Sequence, residues 1–367
     1  MTENLQLSKL KPRPHLYPVH ASVPEQPANV GLKVAVIMRT KNRPLLLHRA
    51  LSSVLLQRHQ AWRLYLVNDG GDRSEVEEVV ANYDKVFADR LTVLHHAESL
   101  GMAQATNAAL SRVTEDLVVI HDDDDSWHPD FLSITSAFLA QSENHHLVGV
   151  ITGCTLVYEK IERGRTYELS RALWPHGRNV VDFRSMLVDN MSPPICLVFR
   201  RSVVDSIGGF NGFLPVLGDW EFNVRLLLLG DIGFVDRPLA NYHHRVAGHN
   251  SIYSNTVVDG NSSHKRQNIL LRNSMLRSAL AERPEMLGLL QPILHALADL
   301  ERRMEHIGTR TDKPAIDNAR LERIEWHLEE MRQILLAVRQ MLRPIRWLWR
   351  GVLPFRVLIA RARGRIP

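Results

Sequence analysis

The chain has 367 residues, 45% hydrophobic and 23% charged, which excludes a wholly disordered, collagen-like or disulfide-scaffold protein. Two cysteines, Cys154 and Cys196, cannot organise a fold and point to packed thiols in a reducing cytoplasm; no apolar run is long enough for a transmembrane helix, and no signal-peptide core stands near the N-terminus. The net charge of +5 is uneven: residues 331–367 hold nine arginines and no acid, so 36 of the 45 basic residues face 40 acids elsewhere, a net of −4, and no nucleic-acid partner is expected.

Residues 1–30 carry prolines at 12, 14, 18, 24 and 27 and no helical period, and read as an irregular arm. From Val34 the runs VAVIM (34–38), RLYLV (63–67), LTVL (91–94) and DLVVI (116–120) read as buried strands. Helical patterns separate them over Pro44–Gln57, Ser74–Tyr83 and Gly101–Ser111; Pro44 suits a first helical turn, and Asp72 or Ser74 suits a cap. This alternation predicts a doubly wound, mostly parallel α/β sheet with right-handed crossovers. Ligands in such sheets sit beyond the strand C-terminal ends, so Arg39–Thr40, Asn68–Gly71 and His121–Asp125 are where chemistry is expected. Residues 147–245 read as short strands around a loop containing Trp174 and His176, and the chain turns helical after Ser263.

The sharpest local feature is HDDDDSWHPD, 121–130. Four consecutive aspartates at the end of a core strand repel one another, so some must be protonated or a cation must sit among them. A hard divalent ion, Mn²⁺ or Mg²⁺, favours carboxylate oxygen and bridges to phosphate. The plainer alternative is a solvated acidic turn.

Taken together, these segments resemble a family 2 glycosyltransferase of the GT-A fold, from about Gly31 to about Ser254. The resemblance rests on six stretches in order: MRTKNRPLLLHRALSSVLLQ, VNDGGD (67–72), SLGMAQATNAAL (99–110), HDDDDSWHPD with its DxD, FRRSVVDSIGGF (199–210) and LGDWEFNVRLL (217–227). It implies that Arg39 and Thr40 line the nucleotide pocket and that Asp69 accepts a hydrogen bond from the base. It implies that Asp122, Asp123 and Arg245 lie on the donor side, and that the two DxD acids serve the metal, Asp124 as the direct ligand ahead of Asp122, which stands nearer the ribose or metal. It makes Asp219 the general base. Thr106 stands where the family usually has Arg, and Gly218 where Glu often precedes the base.

The chemistry asks for the same groups. A diphosphate leaving group needs a Lewis acid, and the acceptor hydroxyl needs a carboxylate to take its proton. Asp219 in Gly-Asp-Trp could equally be a helix N-cap. In NYHHRVAGHNS (241–251), His243 or His244 is a candidate third metal ligand, with His249 less favoured, and Arg245 a candidate diphosphate contact. Trp174 and Trp220 are a sugar platform or core.

Further on, Leu321, Ile324, Leu328, Met331, Leu335, Val338, Leu342 and Ile345 keep a heptad spacing, and Ile293, Leu297, Leu300, Met304 and Ile307 a shorter one. These predict a coiled coil that makes a homo-oligomer, or else a helical hairpin within one chain. The Arg-, Trp- and Phe-containing tail predicts peripheral contact with an anionic membrane, at the cytoplasmic face of the inner membrane.

The expected organisation is therefore an arm (1–30), a GT-A domain (31–262) and a helical oligomerisation and membrane region (263–367). The expected activity is metal-dependent, inverting transfer of a hexosyl unit from a nucleotide sugar, weakly favoured as UDP-linked, to a surface polysaccharide or lipid-linked glycan. A non-catalytic nucleotide- or sugar-binding scaffold is the alternative.

Overall fold

A computed structural model describes residues 31–174, 181–245 and 261–308; the N-terminal arm, His249, the 321–345 seam and the basic tail lie outside them. In chain order the strands are β1 (Val34–Thr40), β2 (Trp62–Asp69), β3 (Leu91–His96), β4 (Leu117–Asp122), β5 (Ser126–Trp127), β6 (Gly149–Glu162), β7 (Arg165–Leu173), β8 (Leu197–Arg200) and β9 (Ile232–Arg245). The helices are α1 (Pro44–Leu55), α2 (Arg73–Ala81), α3 (Asp84–Phe87), α4 (Met102–Leu110), α5 (Phe131–Ala140), α6 (Phe183–Val188), α7 (Val204–Ile207), α8 (Gly218–Leu229), α9 (Asn261–Glu282) and α10 (Leu287–Gly308).

The sheet runs β3-β2-β1-β4-β8-β6-β9-β5, with β7 added beside β6. Pairing is parallel across β3, β2, β1 and β4, as the βα alternation predicts. Beyond β4 the sheet becomes mixed: β8 is antiparallel to both β4 and β6, β6 is parallel to β9, and β5 and β7 are antiparallel to their partners. The middle of the chain therefore forms two long strands of 14 residues each, not only short ones. Their charged alternate positions and bulges hide the strand period from the sequence.

β1 is buried on both faces, every residue from Val34 to Met38 being fully covered, as expected of a central strand flanked by helices. Local chemistry sets the helix starts. Pro44 opens α1, and Asp72 caps α2 by accepting from the Ser74 and Glu75 amides at 2.8 and 3.3 Å. Gly70, at φ +70°, makes the turn after β2; a Cβ there would lie 2.3 Å from the Ser99 amide nitrogen.

The chain divides into two compact units, Met1–Pro284 and Glu285–Pro367. In the first, α9 sends Leu271 into the core. In the second, α10 carries the shorter apolar seam, and Ile293 and Leu297 are exposed. Among the described residues no helix is long and apolar enough to cross a membrane.

Candidate active site

β1 and β4 are parallel neighbours in a register that puts Arg39 beside Asp122 at their C-terminal ends. The two side chains form an ion pair, and Arg39 also reaches the Thr106 hydroxyl of α4 at 3.4 Å. Thr106 is fully buried, and its hydroxyl donates to the Met102 carbonyl at 2.8 Å. The guanidinium thus reaches across the α4 position where the resemblance expects an Arg.

The rest of the acidic run is buried and meets arginines. Asp123 pairs with Arg43 at 2.5 Å, and Asp124 pairs with Arg43 at 3.1 Å and with Arg245. Asp125 accepts the His243 amide at 2.8 Å. Burial and the neighbouring acids push Asp123 up to about 6 against Arg43, and burial raises Asp125 further above its ordinary range. Burial also acts on Asp124, but Arg43 and Arg245 win and hold it at about 2. Like-charge repulsion along the run is therefore relieved in part by the guanidinium groups of Arg39, Arg43 and Arg245.

Behind the run lies a second layer of charge. Glu159 of β6 accepts from Arg49 at 2.6 Å, from His243 Nδ1 at 3.0 Å and from Arg245 at 3.3 Å, and Ser126 Oγ lies 2.9 Å from His243 Nε2. Trp127 closes the run: its amide donates to Ser53 Oγ at 2.7 Å and its indole N–H to the Ile195 carbonyl at 2.9 Å, while its ring stacks on Phe131. Gln57 ties α1 to the same turn, donating to the His128 carbonyl and accepting the Leu132 amide, both at 2.9 Å.

In front of the run is a cavity of about 480 Å³. Arg39, Asp122, Asp219 and His244 all line it, with Asn190, Trp174, Tyr242 and His264. Asp219 sits in the first turn of α8, where a carboxylate is favoured by the helix dipole. It is not the N-cap: that position is Leu217, a non-glycine residue at φ +65°. Such a backbone costs about 1 kcal/mol or more and aims the first turn into the cavity. Asn190 donates to Asp219 Oδ2 at 2.7 Å, and Asn223 donates to Asn190 at 3.2 Å, so two amides orient the carboxylate. Burial pushes the Asp219 carboxyl above its ordinary value, opposed by nearby Arg39.

The structure thus brings four of the sequence candidates, Arg39, Asp122, Asp219 and His244, to one cavity. Asp123, Asp124, His243 and Arg245 stand in the ion network behind it, and Thr40 is buried at the end of β1. His243 and His244 are adjacent on β9 and face opposite sides, as strand geometry requires. Asp69 has both oxygens engaged by His96 (2.9 Å), Ser99 (2.8 Å) and the Leu100 and Gly101 amides (2.9 Å each), so it pins the loop before α4. Trp220 is core, 1% exposed, with its indole N–H on the Met186 carbonyl.

Four residues were not singled out from the sequence: Arg43, which pairs with Asp123 and Asp124; Arg49 and Glu159, which pair with each other behind the run; and Asn190, which holds Asp219. Glu159 stands among Tyr158, Lys160 and Glu162 at the polar end of β6 and carries no local signal, whereas Arg43 and Arg49 lay within the first motif.

Among the described residues no three His, Cys, Asp or Glu side chains are grouped to hold a metal. Asp122 and His244 both face the cavity, and His244 Nε2 has no hydrogen-bond partner, while burial beside Arg245 keeps its ring neutral. A divalent cation in this cavity would find one carboxylate, now paired with Arg39, and one ring nitrogen, and would take its remaining ligands from phosphate and water.

Residues 35–208 match the family model described as glycosyl transferase family 2. An uncharacterized glycosyltransferase of Bacillus subtilis, YwdF, is 25% identical over 194 residues, 53% of this chain and 68% of that protein. A PGL/p-HBAD biosynthesis glycosyltransferase of Mycobacterium bovis is 27% identical over 230 residues, 61% of this chain and 80% of that protein. Among solved structures, the mannosyltransferase from Pyrobaculum calidifontis in complex with GDP-Man and Mn²⁺ aligns with a TM-score of 0.44 at 19% identity, over 63% of this chain and 62% of that one. The S. aureus TarS fragment 1-349 in complex with UDP-GlcNAc aligns at 0.45 and 18% identity, over 62% and 63%.

Proposed function

This chain belongs to glycosyl transferase family 2, and on that premise we propose that it moves a sugar from a nucleotide-sugar donor to a hydroxyl of a surface polysaccharide or lipid-linked glycan, inverting the anomeric carbon. The observation that carries this reading is Asp219, a carboxylate raised by burial, held by Asn190 and facing the same cavity as Arg39 and Asp122. A raised carboxyl is a better base toward the acceptor hydroxyl, and a single displacement from the far side inverts the centre. Arg39 offers a cation to the departing diphosphate. A divalent ion, Mn²⁺ or Mg²⁺, would be held by Asp122 with His244 and would supply Lewis-acid stabilisation of that leaving group. Asp124, tied to Arg43 and Arg245, keeps the loop in place.

Asp219→Asn keeps the shape and removes the proton acceptor. It should abolish transfer while leaving nucleotide affinity within about twofold of wild type, read by thermal shift with UDP- and GDP-sugars in the presence of Mn²⁺. A variant that still transfers at the wild-type rate removes Asp219 from the reaction. Donor hydrolysis by wild-type protein separates this reading from a non-catalytic scaffold.

The shorter apolar seam of α10 and the longer one at 321–345 support a homo-oligomer, and the nine arginines with Trp347, Trp349 and Phe355 support peripheral contact with an anionic, cytoplasm-facing membrane surface.

A further inference from the structure

One face of β6, β7 and β9 is covered by rings, and the other by the Glu159 network. The pairings set this out. Leu156 lies opposite Tyr242 and Tyr158 opposite His244 across β6 and β9, while Lys160 lies opposite Tyr167 across β6 and β7. Side chains two apart on a strand share a face. Trp174 and Tyr242 approach to 6.0 Å, Tyr242 and His244 to 4.5 Å, and His244 and Tyr158 to 5.9 Å. The Lys160 ammonium then sits 5.9 Å from the Tyr167 ring. The inner end of this row, Trp174, Tyr242 and His244, lines the cavity that holds Asp219. The outer end lies on β7, which is exposed along all nine residues, with Tyr167 43% exposed.

We propose that this face is an acceptor track: an extended glycan lies along the β6–β7 hairpin, with its terminal sugar at Asp219 and its preceding sugars against Tyr242, Tyr158 and Tyr167. Three observations favour a carbohydrate. The row is continuous with the cavity where the acceptor hydroxyl must arrive. It alternates aromatic bodies with polar tips, matching the apolar faces and hydroxyl rims of pyranose rings. At about 3.3 Å per strand residue, Trp174 to Tyr167 spans roughly 20 Å, room for several sugars. A docked protein strand is the less favoured occupant, because the β7 edge carries charge, with Arg171 bonded to Glu168 at 2.7 Å, and the neighbouring end of β6 carries Lys160 bonded to Glu162 at 2.8 Å. The proposal rests on the donor-to-hydroxyl reading above and names the acceptor as a chain rather than a single sugar.

The test is calorimetric titration of the full-length protein with glucose oligomers and N-acetylglucosamine oligomers, from mono- to hexasaccharide, with UDP and Mn²⁺ titrated separately. Affinity should rise with oligomer length in at least one series. Tyr167→Ala should weaken binding of the longest members by about tenfold, leave the monosaccharide unchanged and leave donor hydrolysis unchanged. Lys160→Ala, a second change on the row at a half-buried position, should act in the same direction. Affinity that is flat with length, no oligomer binding, or wild-type binding by both variants overturns the track. UDP bound without any oligomer overturns the track alone; oligomers bound without UDP overturn the donor reading and keep the track.

Discussion

Asp122 and Asp124 stand two residues apart and differ in what surrounds their carboxylates. Asp122 reaches the cavity with about a quarter of its side chain exposed, whereas Asp124 is enclosed by Arg43 and Arg245. Neutralising each should therefore do different things. Asp122→Asn should weaken nucleotide binding only where Mn²⁺ is present, and slow transfer more than ~100-fold, about 2.7 kcal/mol of barrier, with little change in melting temperature. Asp124→Asn takes from the buried Arg245 one of its two carboxylate partners, leaving Glu159 at 3.3 Å, and should cost about 1–3 kcal/mol of stability, read by urea denaturation. Nucleotide affinity unaffected by chelator in the wild type would remove the metal from this account. The sequence marked both acids through their position at the end of DLVVI. The resemblance ranked Asp124 first as the metal ligand; the cations that set the two apart, Arg39 on Asp122 and Arg43 with Arg245 on Asp124, are brought in by the fold, Arg245 from more than a hundred residues away.

At the scale of elements, the acidic loop is held by α1 rather than by its own turn. Gln57 is 1% exposed and is engaged at both ends of its amide, to the His128 carbonyl and the Leu132 amide. Gln57→Ala leaves two buried backbone groups unpaired, at about 1–3 kcal/mol in all. The expected result is a lowered melting temperature together with weaker nucleotide binding, since Trp127 and the run before it lose their anchor. Unchanged nucleotide affinity in a destabilised variant would limit Gln57 to a structural role. The trailing Gln of the first motif was visible in the sequence, but its bonding was not: its partners come from the turn after β5 and the start of α5. The same holds for β9. Its strand character predicts that His243 and His244 face opposite ways, and only the pairing with β6 says which of them faces the cavity.

At the scale of the whole molecule, the Glu159 network joins α1, β6 and β9. Burial pushes Glu159 up, but hydrogen bonds from His243 and Arg49 win and hold it at about 2, against an ordinary 4.5. A carboxylate lowered on folding contributes stability that is present above pH ~4.5 and is lost as pH falls toward 2. After screening that is about 2 kcal/mol. Denaturation midpoints of wild type should therefore fall as pH drops from ~4.5 toward ~2, and Glu159→Gln should be less stable at neutral pH with a flatter acid limb. An equally steep limb in the variant would assign the acid loss to other groups. The tail tests a separate claim. Deleting 341–367 should abolish salt-sensitive sedimentation with anionic liposomes without unfolding residues 31–245, and deleting from 318 should also leave a monomer. Full-length protein that ignores such liposomes at low salt, or a monomeric mass, overturns the corresponding half.

The sequence by itself determined the four-stranded parallel half of the sheet, its helices and the Asp run at its C-terminal edge. Those features are written in local periodicity and in residues that cap or break helices, such as Pro44 and Asp72. Tertiary structure decided the rest. It turned β6 and β9 into long partners, bonded Asp69 to the loop before α4, matched Asp122, Asp123 and Asp124 with Arg39, Arg43 and Arg245, and set Asp125 on the His243 amide. It also took Asp219 out of the N-cap position and set it against Asn190. Periodicity reports which face of an element is buried, because burial acts on neighbours in the chain. Which charge meets which is set by strand order and register across the sheet, and those depend on contacts between residues far apart in sequence.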